Sequence, residues 1–159
     1  MDALTIIHTL ISLVGIGSGW VVLYGLLTSN RFEGWTKLFL TTTTLTSVTG
    51  FLFPFHGFKP SYAVGTLSII ILVIAVLARY RFCLTGGWRR TYVITATMAL
   101  YFNMFVLIAQ SFMKVPALHD LAPTQSEPPF GIAQLALLLI FLWLGYRAAK
   151  GFERGRQTA

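Results

Sequence analysis

The chain has 159 residues, 55% of them hydrophobic and 11% charged, and a mean hydropathy of +0.72. Soluble globular domains carry about a quarter of their residues charged, so this balance excludes that class and points to a membrane protein. A formal net charge of +7 would suit a nucleic-acid binder, but the basic residues are scattered through short connections without any DNA- or RNA-binding motif, so no nucleic-acid partner is expected and lipid headgroups account for them better.

A membrane-crossing helix needs about 20 predominantly apolar residues. Five stretches qualify: approximately Leu4 to Thr28, Thr36 to Phe55, Ser61 to Arg79, Thr91 to Lys114 and Phe130 to Tyr146. Backbone groups in lipid must be satisfied within each segment, so the predicted fold is all-α: one integral membrane bundle of five transmembrane helices, a single domain over residues 1–159.

In the first span, Thr5, His8, Ser12, Gly15 and Gly19 recur at intervals of three and four and form one small or polar stripe. Its flank carries Asp2 and no Lys or Arg, so it is expected to be a permanent helix rather than a secretory signal. The second span offers Thr42, Thr46 and Thr49 as its packing stripe, then runs into Pro54, which should break the helix and aim His56 back over the mouth of the bundle. The third offers Ser61, Gly65, Ser68 and Ala75. Cys83 is the only cysteine, which excludes a disulfide framework and a Cys-x-x-Cys redox pair. The fourth span offers Ala96, Ala99, Asn103 and Gln110. The connection from Val115 to Pro129 carries four prolines with His119, Asp120 and Glu127, and is expected to fold over the mouth as a short cap. The fifth span offers Gly131, Gln134, Phe141 and Gly145, and residues 147–159 form a basic tail that begins as a continuation of the last helix.

Orientation follows from the twelve basic residues. When the connections alternate between the two sides, one side holds Arg31, Lys37, Arg79, Arg81, Arg89, Arg90, Arg147, Lys150, Arg154 and Arg156, and the other only Lys59 and Lys114. The positive-inside rule then places the amino terminus outside and the carboxyl-terminal tail in the cytoplasm, as in a bacterial inner membrane. Trp35, Tyr80, Trp88, Trp143 and Tyr146 fall near the cytoplasmic ends, where amphipathic rings favour the interface.

All three histidines then share the outer side. His8, Gln110 and Gln134 lie four residues inside their spans, at one depth, so they form a candidate polar layer beneath His56 and His119. As a cofactor site the set is His8, Gln110, Gln134 and His56; as a metal site it is His8, His56, His119 and Asp120. Imidazole and carboxylate suit copper or another transition metal, neutral imidazole suits a single haem b, and the amides with His8 suit a quinone headgroup. A bundle with two b-type haems would need histidines near both surfaces, and this chain has none in its cytoplasmic half.

Three function classes follow. Small size, short loops and the absence of a catalytic motif favour a noncatalytic subunit or assembly partner of a larger respiratory or photosynthetic membrane complex, in contact with lipids and with other membrane subunits or a second copy of itself. The alternative is an outer-face cofactor protein. A small channel or transporter is the third, although no Asp, Glu, Lys or Arg lies at mid-depth and no internal repeat is visible.

Overall fold

Long runs of Leu, Ile, Val and Phe without internal proline produce long helices: α1 (Ala3–Leu27), α2 (Glu33–Gly50), α3 (Pro60–Val76), α4 (Trp88–Lys114) and α6 (Pro128–Arg154), with a single turn α5 (Pro116–His119) between the last two. Pro60, Pro116 and Pro128 stand at helix starts, where a missing N–H costs nothing. The computed structural model describes residues 3–52 and 60–154; Asp2, Pro54 and His56 lie outside them. No strand occurs among the described residues.

Four helices are long and apolar enough to cross a membrane: Ala3–Leu27, Ala63–Arg81, Trp88–Lys114 and Pro128–Phe152. Helix α2 does not join them, because its 18 residues include Glu33, Lys37 and eight Thr or Ser side chains. The expectation of five spans is therefore met by four on length and composition, with α2 as a fifth long helix of more polar character.

Contacts at the helix ends fix how they alternate. At one end, Ser29 after α1 donates its hydroxyl to the Gly151 carbonyl of α6 at 2.5 Å, and Arg89 Nη1 at the start of α4 donates to the Phe152 carbonyl at 3.2 Å. At the other end His8 meets Thr49, and Phe112 of α4 meets Phe130 of α6 edge-on at 5.4 Å. Successive long helices thus run antiparallel, and α1 lies parallel to α6.

Helix α4 is the centre. Tyr92, Val93, Ala99 and Leu100 are fully buried, packed with Val22, Leu23, Phe39, Ile71, Leu72 and Ala75 from three neighbouring helices. The expected stripe of α1 faces inward at Gly15 and Gly19, and a Cβ at Gly19 would lie 2.6 Å from Leu100 Cδ1 and 2.9 Å from Phe39 Cε2. In α2 the buried stripe is Thr36, Phe39, Leu40, Thr43 and Ser47, rotated from the expected Thr42, Thr46 and Thr49, which are half-buried on its flank. The large Phe39 and Leu40 set that rotation, since they make far more close packing contacts than a threonine, and packing decides helix association in lipid. On α6 the inward stripe is Gln134, Leu137, Phe141, Ala148 and Phe152.

The connection after α4 is anchored rather than loose: Ala122 is fully buried and Gln125 Nε2 donates to the Ala109 carbonyl at 2.7 Å. Glu127 ends it by accepting hydrogen bonds from the Thr124 amide and hydroxyl at Oε1 and from the Ser126 amide at Oε2. Desolvation pushes the Glu127 carboxyl up, but these hydrogen bonds outweigh it and hold the group below the ordinary carboxylate range. A carboxyl held low contributes stability above that range and loses it as pH falls through the lowered value. Hydrogen-exchange protection at Thr124 and Ser126, corrected for intrinsic rates, should hold at neutral pH and through the ordinary carboxylate range and drop only below it. Glu127→Gln should abolish that step; a step that survives the substitution would assign it to another group.

Candidate functional site

Two polar centres lie at opposite ends of the bundle. The first is built on α1 and α2, which approach closely because Gly15 carries no side chain: a Cβ there would stand 3.3 Å from the hydroxyl oxygens of both Thr42 and Thr43. One end of that contact brings His8 Nδ1 to 2.8 Å from Thr49 Oγ1. The Thr49 hydroxyl has one hydrogen, and it points 2.7 Å back to the Leu45 carbonyl of its own helix. With that hydrogen given to Leu45, Thr49 accepts from His8, which puts a proton on Nδ1. Nitrogen NMR of His8 should report the Nδ1–H tautomer in the wild type and a change in tautomer balance in Thr49→Val; an unchanged spectrum would refute the assignment.

The other members of the predicted layer are placed differently from one another. Gln134 is buried, donating from Nε2 to the Phe105 carbonyl at 3.2 Å, while its Oε1 is buried without a hydrogen-bond partner. Gln110 is exposed, although its spacing continues the stripe of Ala96, Ala99 and Asn103 toward the end of α4. His119 and Asp120 are exposed beside α5. Among the described residues no group of three or more His, Cys, Asp or Glu converges. Deeper polar contacts join helices in pairs: Asn103 Nδ2 donates to Thr43 Oγ1 at 3.1 Å, and the hydroxyls of Ser47 and Ser68 meet at 3.3 Å. A packing gap with no room for a ligand separates Gly19, Phe39, Ala96 and Leu100.

The second centre was not singled out from the sequence, which counted Arg79 simply among the rim cations. The inward stripe of α3 (Ile71, Leu72, Ala75, Ala78) continues straight into Arg79, whose side chain is only 5% exposed. It lies in a π-helical turn, Leu77–Arg81, closed by the Phe82 amide donating to the Leu77 carbonyl at 2.9 Å. Its guanidinium Nη2 is 2.7 Å from Glu33 Oε2 at the start of α2, and 5.2 Å above the ring of the fully buried Tyr92 on α4. One cation thus ties the ends of three helices together. The turn that follows is strained, with Cys83 and Leu84 both left-handed at φ 49° and 56°. The burial of Leu84 helps hold that conformation in place.

A sequence signal for this centre did exist. Glu33 is the only acid between the first four spans on the basic side, and Arg79 keeps the spacing of the buried α3 residues.

Among the described residues, an all-helical bundle with four helices long and apolar enough to cross a membrane, joined by interhelical hydrogen bonds and the Arg79–Glu33 contact, defines the class: a helical membrane protein. No protein-family description, curated protein or solved structure matches the chain.

Proposed function

We propose that the chain is a noncatalytic subunit or assembly partner of a larger membrane complex of respiratory or photosynthetic type in the bacterial inner membrane. The observation that carries this reading is the unequal burial of the spans. The apolar windows of α1, α3 and α4 are 33% to 44% buried, and that of α6 only 11%. Helix α6 spends a single stripe on the bundle and leaves Leu135, Leu138, Leu139, Ile140, Leu142 and Trp143 outward. In a bilayer, burial of apolar surface drives little helix association, so close packing decides it, and a helix so lightly packed has the most to gain from a further neighbour.

The topology of this proposal has the amino terminus outside and the carboxyl terminus in the cytoplasm, with α2 crossing as the fifth span. Its 18 residues reach about 27 Å at the helical rise, close to the roughly 30 Å of a hydrocarbon core. Thr42, Thr44 and Thr49 each donate to the carbonyl four residues back, which masks their hydroxyls from lipid.

The test is native electrophoresis of gently solubilised membranes, with a photo-crosslinking residue at Leu138 or Leu142. A discrete heteromeric assembly crosslinked through α6 is expected. A monomer whose crosslinks go only to lipid would overturn the reading.

A second reading, an outer-face cofactor protein using His8, is favoured by the Thr49 contact. That contact fixes the orientation of an imidazole, a ligand type suited to copper or haem iron. An optical spectrum and metal analysis of the wild type and His8→Ala decide it: a Soret band or stoichiometric metal lost in the variant supports it, and a colourless, metal-free wild type removes it.

A further inference from the structure

We infer that the cytoplasmic-end rim of α6 is a binding site for an anionic phospholipid. The inference rests on the membrane-crossing character of α6 and not on the subunit reading. Opposite the buried stripe of Gln134, Phe141 and Phe152, the outward stripe of α6 runs Ile132, Leu139, Trp143, Tyr146, Arg147, Lys150. Along the helix this sequence is aliphatic, then aromatic, then cationic. A phospholipid laid beside it has the same order: acyl chain, glycerol and carbonyl region, phosphate.

The two cations are also placed for the purpose. Arg147 Cζ lies 5.4 Å from the centre of the Trp143 ring, and Lys150 Nζ lies 4.6 Å from that of Tyr146. Both side chains fold back one helical turn, in the direction in which helical side chains point, so their charges sit at the level of the rings rather than extending beyond the helix end. Trp and Tyr rings favour the headgroup boundary, so the charges are held where a lipid phosphate lies.

Charge at this end is one-sided. Ten basic residues face two acids, Glu33 and Glu153, and Glu33 is in contact with Arg79. Arg147 and Lys150 are exposed, so a phosphate reaches them without displacing a packed group.

The site is tested through Trp143, whose fluorescence is taken as the difference between the wild type and Trp143→Phe. The protein is placed in phosphatidylcholine vesicles containing a small fraction of either brominated phosphatidylglycerol or brominated phosphatidylcholine. Each basic residue near an anionic surface contributes about 1 kcal/mol. With two such residues, a preference of up to about thirtyfold for the brominated anionic lipid is expected at low salt, falling in 0.5 M NaCl. The double variant Arg147→Gln/Lys150→Gln should bring the ratio close to one. Arg31→Gln/Lys37→Gln, which removes two exposed rim cations from other elements, should leave it unchanged.

A wild-type ratio of one, or a preference that survives the α6 double variant, overturns the site. An equal loss in both double variants overturns it in favour of diffuse surface charge. Suppression by millimolar inorganic phosphate, but not by sodium chloride of equal ionic strength, would make it a small-anion site instead. Because the salt titration uses the wild type alone, the proposal stays testable if a variant misfolds.

Discussion

Glu33→Gln should destabilise the bundle by about 2–3 kcal/mol, and Arg79→Met by less than about 1 kcal/mol, although both break the same contact. The asymmetry comes from where each partner lies: the Arg79 side chain is 5% exposed and that of Glu33 is 60% exposed. The pair itself is screened on its Glu33 side and contributes modestly. Removing Glu33 leaves an enclosed guanidinium whose remaining aromatic neighbours are Tyr92 and Tyr80, with ring centres at 5.2 and 5.8 Å. A cation over an aromatic face recovers only about 1–2 kcal/mol. Removing Arg79 instead leaves a carboxylate that water can solvate, and methionine fills the space. The double variant Glu33→Gln/Arg79→Met should therefore be more stable than Glu33→Gln alone. Unfolding in mild detergent, followed by circular dichroism, gives the order; equal losses in the two single variants would contradict the burial argument.

The second large effect is expected at Gly151. A Cβ there would stand 2.9 Å from the Leu27 carbonyl oxygen and 3.5 Å from its carbon, both backbone atoms that cannot rotate away. Gly151→Ala should push α6 from α1, weaken the hydrogen bond from Ser29 to the Gly151 carbonyl, and cost about 1–3 kcal/mol. Gly17 supplies the control: nothing lies within 4 Å of a Cβ at that position, so Gly17→Ala should be neutral or stabilising by up to about 1 kcal/mol through helix propensity. If both alanines behave alike in thermal unfolding, the close approach of α1 and α6 is not what Gly151 serves.

The contrast between these glycines shows what was legible in the sequence. Gly15 and Gly19 were readable because they extend a periodic stripe inside an apolar run, and a period of 3.6 residues assigns such a stripe to one face. Gly151 lay beyond the predicted last span, in the basic tail expected to begin as a continuation of that helix, where no packing partner was assigned to it. The helix continues to Arg154, because Ala148 and Phe152 keep burying its inner face. In α2, the unbroken run Thr41 to Thr44 offers several equivalent faces, and hydroxyls alone could not choose between them. The large side chains Phe39 and Leu40 chose.

The candidate site was legible only in part for a similar reason. His8 is placed by its helix, and its partner Thr49 was read as a member of the packing stripe of the second span. Gln110 was assigned by depth and by the spacing that continues Ala96, Ala99 and Asn103, but neither says how far along α4 that face stays covered, and it proved exposed. His119 and Asp120 depend on a connection whose course is set by Gln125 reaching back to Ala109, a long-range contact that spacing does not encode.

The hydrogen bond from Ser29 to Gly151 spans 122 positions of the chain. It joins the first long helix to the last, and Trp20 of α1 likewise meets Phe141 of α6 edge-on at 5.6 Å. During synthesis, the contacts of α6 with α1 and α4 can form only after α6 has emerged. The order of assembly is thus written into the fold: four long helices can pair as they are made, and the step that completes the molecule belongs to the helix that arrives last.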